Sequence, residues 1–600
     1  MTPHNLYEIF RLYVLQALHE VIPDLPKEIA ERVELFPTKE VAHGDMATNA
    51  ALIVAKILKR SPQALAQELS QRLNHIKLIE KAEAAGPGFV NLTLSPLVFQ
   101  QLISIILESK ENYGDSLIGK NKPVNVEYVS ANPTGPMHVG HCRGAVVGDV
   151  LANLMEKAGY QVTKEYYIND AGAQVVSLTW ASYWRYLNAL GQKCSAEEFN
   201  KRFIEFIPSG LQYQGDYLIP VGEALVKKYD DQLLEPNNFK PKLAWFDKVK
   251  ALVLSYMIEL IKSDLDALGV HHDHFVSEQS IVDSGVAEEA LKILDENGLV
   301  YTGVLQPPKG KIVEDWEERP QTLFKSTDFG DDVDRPLRKS DGNATYFAND
   351  LGYHYDKMRR GAKVLIDIWG ADHGGYIPRM KAAIAALDHD HCTTFEVILC
   401  QIVRVVRQGK VVKMSKRAGN FVTLRDLIDE VGKDAVRFTM LTRKADAQMN
   451  FDLEQVVAQT RDNHIFYVQY AHARCRSVLR AAVEQFGEKL LSQTQLIHAN
   501  LSCLTSDEEL ALLRRLAQWP RTVESAALAR EPHRIAYYLI ELASDFHTLW
   551  NAGRDNMTLR FIQEDDKVST LARLALVEVT SIIIRSAMKI LGIKAVEEMR

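Results

Sequence analysis

Val124-Asn125-Val126-Glu127-Tyr128-Val129-Ser130-Ala131-Asn132-Pro133-Thr134-Gly135-Pro136-Met137-His138-Val139-Gly140-His141 runs from an apolar segment through a broken turn into two histidines. Val124 to Val129 reads as a buried strand, and Ser130 to Pro136 as the turn that leaves it. From His141 onward, Val146, Val147, Val150, Leu151, Leu154 and Met155 recur at helical spacing until Gly159 supplies a stop. The histidines therefore open a helix that follows a strand. Such a junction offers unpaired backbone N–H groups and a positive dipole end, both suited to phosphate. Gly140 lets a nucleotide approach the backbone closely. The imidazole N–H groups of His138 and His141 could bond phosphate oxygens as negative charge moves in a transition state. Taken alone, the pair reads better as a helix cap than as a phosphate site.

A second segment far downstream changes that balance. Gln401 to Asn420 carries Arg404, Arg407, Lys410, Lys413, Lys416 and Arg417 with no acidic residue, interrupted by Gly409 and Gly419. It follows the mostly apolar Phe395-Glu396-Val397-Ile398-Leu399, so a cationic loop is predicted at a strand edge. Within it, Lys413-Met414-Ser415-Lys416 places two flexible point charges where a departing pyrophosphate would need them. The two motifs together describe one ATP site.

At this point the chain resembles the class I aminoacyl-tRNA synthetases, which share both signatures on a dinucleotide-type parallel fold. Within that group it is similar to the bacterial-type arginyl-tRNA synthetases. The resemblance rests on Glu127 to Gln174, including Glu165-Tyr166-Tyr167-Ile168-Asn169-Asp170-Ala171-Gly172, and on Trp369-Gly370-Ala371-Asp372-His373. Asp434-Ala435-Val436-Arg437-Phe438 and Tyr467-Val468-Gln469-Tyr470-Ala471-His472-Ala473-Arg474 continue it in order through nearly the whole chain. Many arginyl enzymes have a degraded lysine signature, which is intact here. Cys142 replaces a more usual alanine or leucine, and Gly374 stands where a second histidine is common.

The resemblance implies that arginine and ATP form arginyl-adenylate and pyrophosphate, with the arginine carboxylate attacking the α-phosphorus. The 2′-hydroxyl of the 3′ adenosine of tRNA(Arg) then attacks the activated carbonyl and releases AMP. It also implies that tRNA is present before the adenylate forms. His138, His141, Lys413 and Lys416 would be catalytic. Gly140, Gly370, Asp372, His373, Met414 and Ser415 would bind ATP, with Mg2+ held mainly through the phosphates. Gly370, Asp372 and His373 follow the apolar strand Val364-Leu365-Ile366-Asp367-Ile368, where open α/β sheets bind ligands, although Asp372 could equally cap a following helix.

Arginine presents a planar, permanently charged guanidinium that carboxylates hold best. By resemblance Glu127, Asp350 and Tyr346 surround it, Asn132 takes the α-amino group and Ser130 lies beside it. Glu127 in an apolar strand would be costly to bury without a partner. For tRNA, Phe89 and Asn91 match elbow-contacting positions, as an aromatic that stacks and an amide that reads a base edge. Packing into a local core is the alternative for Phe89. Tyr467, Tyr470 and Arg474, with Arg476 and Arg480, make the aromatic and cationic mixture of a single-stranded RNA surface on a helix.

The 600 residues and 46% hydrophobic content suit about three or four folded domains. The predicted fold is an α/β Rossmann-type parallel-sheet catalytic domain, residues 111–445, with an insertion at about 175–300. A small α+β RNA-binding domain, 1–110, precedes it and an all-α helical bundle, 446–600, follows. Helices are expected at Leu6 to Val21, Met46 to Leu58, Ser61 to Leu73, Phe246 to Leu268, Val286 to Leu294 and Val568 to Leu591. A net charge of −8 excludes a globally basic nucleic-acid binder, so tRNA contact must be local. The six cysteines show no paired spacing, so neither disulfides nor zinc are expected, including at His271-His272-Asp273-His274 and Asp388-His389-Asp390-His391-Cys392. No leader or membrane span is read, and a cytoplasmic monomer is expected. Three rivals remain: another class I synthetase, a silent tRNA-binding scaffold and a small-molecule adenylyltransferase. The first would need a basic pocket or thiolate zinc site, the second eroded signatures, and the third no tRNA-binding modules.

Overall fold

Five strands, β1 (Pro123–Glu127), β2 (Gln161–Ile168), β3 (His274–Ser277), β4 (Val364–Gly370) and β5 (Thr394–Cys400), lie parallel in the order β5-β4-β1-β2-β3. The run Val364 to Ile368 is buried on both faces, as helix-covered parallel sheets require. The order reverses between β1 and β4, and ligands of open α/β sheets bind beyond the carboxyl ends of strands at such a switch. Helix α1 (Val139–Lys157) follows β1 and buries Val146, Val147, Val150, Leu151, Leu154 and Met155. It passes so close to β1 that a Cβ at Gly148 would lie 2.3 Å from Cγ of Tyr128. Gly159, at φ +83°, turns the chain back towards β2.

The computed structural model describes residues 5–38, 40–234, 245–305, 319–339, 341–412 and 422–599. These form two compact units: Met1–Asn121 with Asn153–Tyr160 and Ala458–Arg600, and Lys122–Ala152 with Gln161–Val457. The second unit holds the α/β parallel sheet. Between β2 and β3 it carries α2 (Ala173–Ala189), Ala196–Arg202, Ile219–Tyr229 and α3 (Phe246–Leu268), packed on Trp180, Tyr183, Phe199, Phe203 and Trp245. Strand β3 then rejoins the sheet edge, within the range read as an insertion from sequence. A small antiparallel sheet of Val300–Gly303, Gln321–Phe324 and Arg335–Pro336 precedes α4 (Tyr346–Arg359). Helix α5 (Leu424–Val431) follows further on, started by the Thr423–Asp426 capping box.

In the first unit, an antiparallel sheet runs in the order Leu35–Pro37, Met46–Thr48, Phe89–Leu94, Ile79–Ala85, beside helices Leu6–Val21, Ala50–Leu58 and Pro62–Leu73. Met46 to Thr48, expected as helix, is strand instead. Its short apolar run suits either element, and pairing on both sides with Leu35–Pro37 and Phe89–Leu94 decides it. The same unit ends in an all-α bundle that includes α6 (His464–Phe486), α7 (His533–Asp555) and α8 (Lys567–Ile590). Among the described residues, no helix is long and apolar enough to cross a membrane.

Candidate active site

Beyond the carboxyl end of β1 the backbone is strained. The strand stops at Glu127, two residues short of the apolar run, because Val129 has φ +73° and Ser130 φ +39°. A β-branched residue there is a true outlier, and such strain persists only where surroundings impose it. Here Tyr128 N donates to the Glu165 carbonyl (3.2 Å), and the buried Tyr128 ring lies 4.2 Å from that of His272. The kink aims Ser130 back at the strand: its hydroxyl donates to Glu127 Oε1 (2.9 Å) and accepts from Tyr167 N (3.1 Å).

His138 and His141 stack with ring centroids 3.8 Å apart. His138 Nδ1 accepts from Gly140 N (3.0 Å), and His141 Nδ1 accepts from His138 N (3.4 Å). Both neutral rings therefore carry their proton on Nε2, the tautomer that presents an N–H donor. Gly140 is exposed, and a Cβ there would fall 2.8 Å from the His138 ring, so glycine permits this fold-back. Lys413, Met414, Ser415 and Lys416 lie outside the described residues. The chain on their carboxyl side returns to the histidines: Val139 N donates to the Val422 carbonyl (3.4 Å), Leu424 N donates to that of Met137 (2.8 Å), and His138 bridges Thr423. On their amino side, Val403–Arg407 and Lys410–Val411 form a hairpin turned by Gln408 (φ +50°) and Gly409 (φ +70°).

Glu127 is 7% exposed and already partnered. The wholly buried Lys357 places Nζ 2.5 Å from Glu127 Oε2 and 3.1 Å from Asp367 Oδ1. His354 continues the chain, with Nε2 2.9 Å from Asp367 Oδ2 and Nδ1 2.8 Å from the Asp350 carbonyl. Burial pushes Glu127 upward against the pull of Lys357. Burial also opposes charge on His354 and acts against ionisation of Asp367, yet their attraction raises the former and, with Lys357, lowers the latter. Arg360 grips Glu165 through two bonds, 2.7 and 2.8 Å. Among the described residues Asp350 has no cation in ion-pair contact; Tyr376 donates its hydroxyl to Oδ2 (2.6 Å), and burial still pushes the carboxyl up to about 6.

Lys357, His354, Asp367 and Tyr376 escaped the sequence reading. Asp350, His354 and Lys357 stand four and three residues apart, one face of α4, and Asp367 interrupts an apolar strand as Glu127 does. Those two patterns were the available signal.

Tyr346 opens α4 on the same side as Asp350, is 51% exposed, and has Lys339 Nζ 4.7 Å from its ring centre. Asn132 is exposed and donates Nδ2 to Gln174 Oε1 (3.0 Å). Gly370 ends β4, and Asp372 and His373 stand exposed after it, 3.6 Å apart. Glu127, Ser130, Gly370 and Asp372 thus gather at the switch between β1 and β4.

The other unit holds the residues expected to meet RNA. Phe89 is half-buried, edge-on to Phe36 at 5.9 Å, and Asn91 is buried on the same face of its strand. Tyr467, Tyr470 and Arg474 line a cavity of about 330 Å³ with Arg461, His547 and Asn551. Arg474 lies 4.2 Å from the Tyr470 ring centre and 4.6 Å from that of Trp550. His547 accepts from Arg474 at Nδ1 (3.3 Å) and donates to the Tyr467 carbonyl at Nε2 (3.3 Å). Burial holds it neutral, with its pKa lowered to about 4.

Comparison with known proteins matches residues 9–94 to the arginyl tRNA synthetase N-terminal domain and 102–197 to the class I (R) tRNA synthetase catalytic domain. Residues 468–599 match the DALR anticodon binding domain. An arginine–tRNA ligase of Gluconobacter oxydans is 59% identical, covering 100% of this chain and 99% of its own. One from Azorhizobium caulinodans is 50% identical over 99% of this chain and 100% of its own. A putative arginyl-tRNA synthetase of Campylobacter jejuni superposes with a TM-score of 0.70 at 31% identity, over 84% of this chain and 100% of that one. The Thermus thermophilus arginyl-tRNA synthetase shares the fold, at TM-score 0.71 and 22% identity over 99% and 100% of the two chains.

Proposed function

The chain belongs to the arginine–tRNA ligase family of class I synthetases, and on that footing we propose how its own residues carry the reaction. It activates L-arginine with ATP and transfers it to the 3′-terminal adenosine of tRNA(Arg), giving AMP and diphosphate. The Nε2 donors of His138 and His141, at the opening of α1, bond phosphate oxygens as pyrophosphate departs. Lys413 and Lys416 act as point charges on the same departing pyrophosphate. Gly140, Met414 and Ser415 serve in binding ATP, and Gly370, Asp372 and His373 meet the nucleoside at the end of β4. No side-chain nucleophile is needed, because positioning and preorganised charge suffice.

One observation carries the choice of arginine. In the buried chain Glu127–Lys357–Asp367–His354, each carboxylate has an internal cation, whereas Asp350 has only a hydroxyl. A guanidinium supplies the missing charge, reaching Glu127 on its Ser130 side and Asp350 beside Tyr346, with Asn132 on the α-amino group. Among the described residues, Glu127, His354 and Asp367 are the group with metal-ligand spacing, but Lys357 already supplies their cation. Magnesium therefore arrives on the ATP phosphates, where it neutralises charge.

The elbow module at 1–110, the catalytic domain at 111–445 and the helical domain at 446–600 divide the labour. Phe89 and Asn91 serve the tRNA elbow, and Tyr467, Tyr470 and Arg474 the anticodon loop. We read the acting unit as a cytoplasmic monomer, since one chain carries every assigned group. Pyrophosphate exchange into ATP, with each amino acid in turn and with or without total tRNA, tests the reading. Exchange that requires arginine and tRNA together is expected; exchange with another amino acid, or with none, overturns it.

A further inference from the structure

We propose that the helical insertion between β2 and β3 positions the activation chemistry, with Tyr217 as the residue that locks the loop leading into His138 and His141. The inference rests on the reading of those histidines as phosphate contacts.

The loop Ser130 to Met137 has left β1 and not yet entered α1, and Pro133 and Pro136 lack backbone donors. Its internal hydrogen bonding includes one short turn, Thr134 N to the Asn132 carbonyl at 2.7 Å. Three elements of the insertion hold it from outside. Gln174, in the first turn of α2, accepts from Asn132. Tyr217 donates its hydroxyl to the Thr134 carbonyl (2.8 Å), and its ring lies against Gly135, where a Cβ would fall 3.1 Å away. Asp264 of α3, buried, accepts from Met137 N (3.1 Å). The attachments fall at 132, 134–135 and 137, and His138 comes next.

The holding side is rigid. The Tyr217 ring packs on the insertion's aromatic core. Its turn is clamped by Arg185, which donates to the carbonyls of Gln214 (2.7 Å) and Gly215 (3.2 Å) and to Asp216 (3.2 Å) while stacking 4.4 Å from Trp184. Asp264 also has Arg425 of α5 3.8 Å away, directly after the segment that pairs with Met137 to Val139. The insertion thus fixes where the histidine pair and the Asn132 amide sit. A displacement of about 1 Å at reacting groups costs on the order of 100-fold in rate.

The test is Tyr217→Phe in the full-length protein, which keeps the ring and removes the hydroxyl, with Gln174→Ala as a second variant. Pyrophosphate exchange with arginine and tRNA should show kcat lowered about 5- to 20-fold for Tyr217→Phe, as expected for one lost hydrogen bond with some displacement. The KM for arginine should stay within twofold and the thermal midpoint should not change. In a His141→Ala background the same substitution should cost almost nothing further, since coupled residues are not additive. Full kcat in both variants, or losses that simply add to His141→Ala, would overturn the inference alone. A wild-type protein with no arginine-dependent exchange would overturn the functional reading and this inference with it.

Discussion

Asp350 concentrates the problem of recognising a cation inside a protein. Its charge is opposed by burial and by the neighbouring carboxylates, and helped by the Tyr376 hydroxyl and by His354, with the balance raising its carboxyl to about 6. Well below that pH it is protonated and neutral, so arginine binding should be half available at about pH 6 and fully available only well above it. The arginine KM should climb as pH falls through 6, by about tenfold per unit once the neutral form dominates. Asp350→Asn should abolish this pH dependence and lower kcat/KM for arginine by about 100-fold or more, the usual cost of removing one partner of a buried charged contact, read by aminoacylation kinetics. In the role proposed for His138 and His141 the moving phosphate charge is what they serve, so His138→Ala should lower kcat of pyrophosphate exchange about 100- to 1,000-fold with little change in the KM for arginine.

The face of α4 acts as one unit. Asp350, His354 and Lys357 descend along it, with Arg360 just past its end, and His354, Lys357 and Arg360 meet Asp367, Glu127 and Glu165 on β4, β1 and β2. Lys357 is the keystone of that column, because two buried carboxylates share its ammonium group. Lys357→Met leaves Glu127 without a cation and Asp367 with His354 alone, and should cost about 3–5 kcal/mol of stability, measured as a lowered denaturant midpoint. Lys357→Met with Glu127→Gln should recover part of that loss, since the second change removes the stranded charge. A midpoint unmoved by Lys357→Met would refute the network as a structural element.

For the whole molecule, a net charge of −8 means that tRNA must be captured by local surfaces. The cavity between α6 and α7 has the required chemistry, with Arg474 between the rings of Tyr470 and Trp550 and Arg461 at its edge. Tyr470→Ala should raise the KM for tRNA by about 5- to 100-fold, matching one lost stacked base, while leaving the KM for arginine alone. Steady-state aminoacylation at several tRNA concentrations separates the two constants. An unchanged tRNA KM would remove this surface from the RNA-binding role.

The family and the parallel-sheet fold were legible along the chain, because periodic burial and local turn chemistry are written in neighbouring residues. Helices such as Phe246–Leu268 appear where the spacing places them for the same reason. Glu127 and Asp350 were legible as candidates, but the sequence did not reveal that Glu127 is half of an internal ion pair. That depends on Lys357 and Asp367, which only folding brings beside it. The fate of Met46 to Thr48, the strain at Val129 and Ser130, and the grip of Tyr217 on Thr134 were likewise decided by tertiary structure. A short apolar run has no intrinsic preference strong enough to resist sheet pairing, and a hydrogen bond between distant residues leaves no periodic trace.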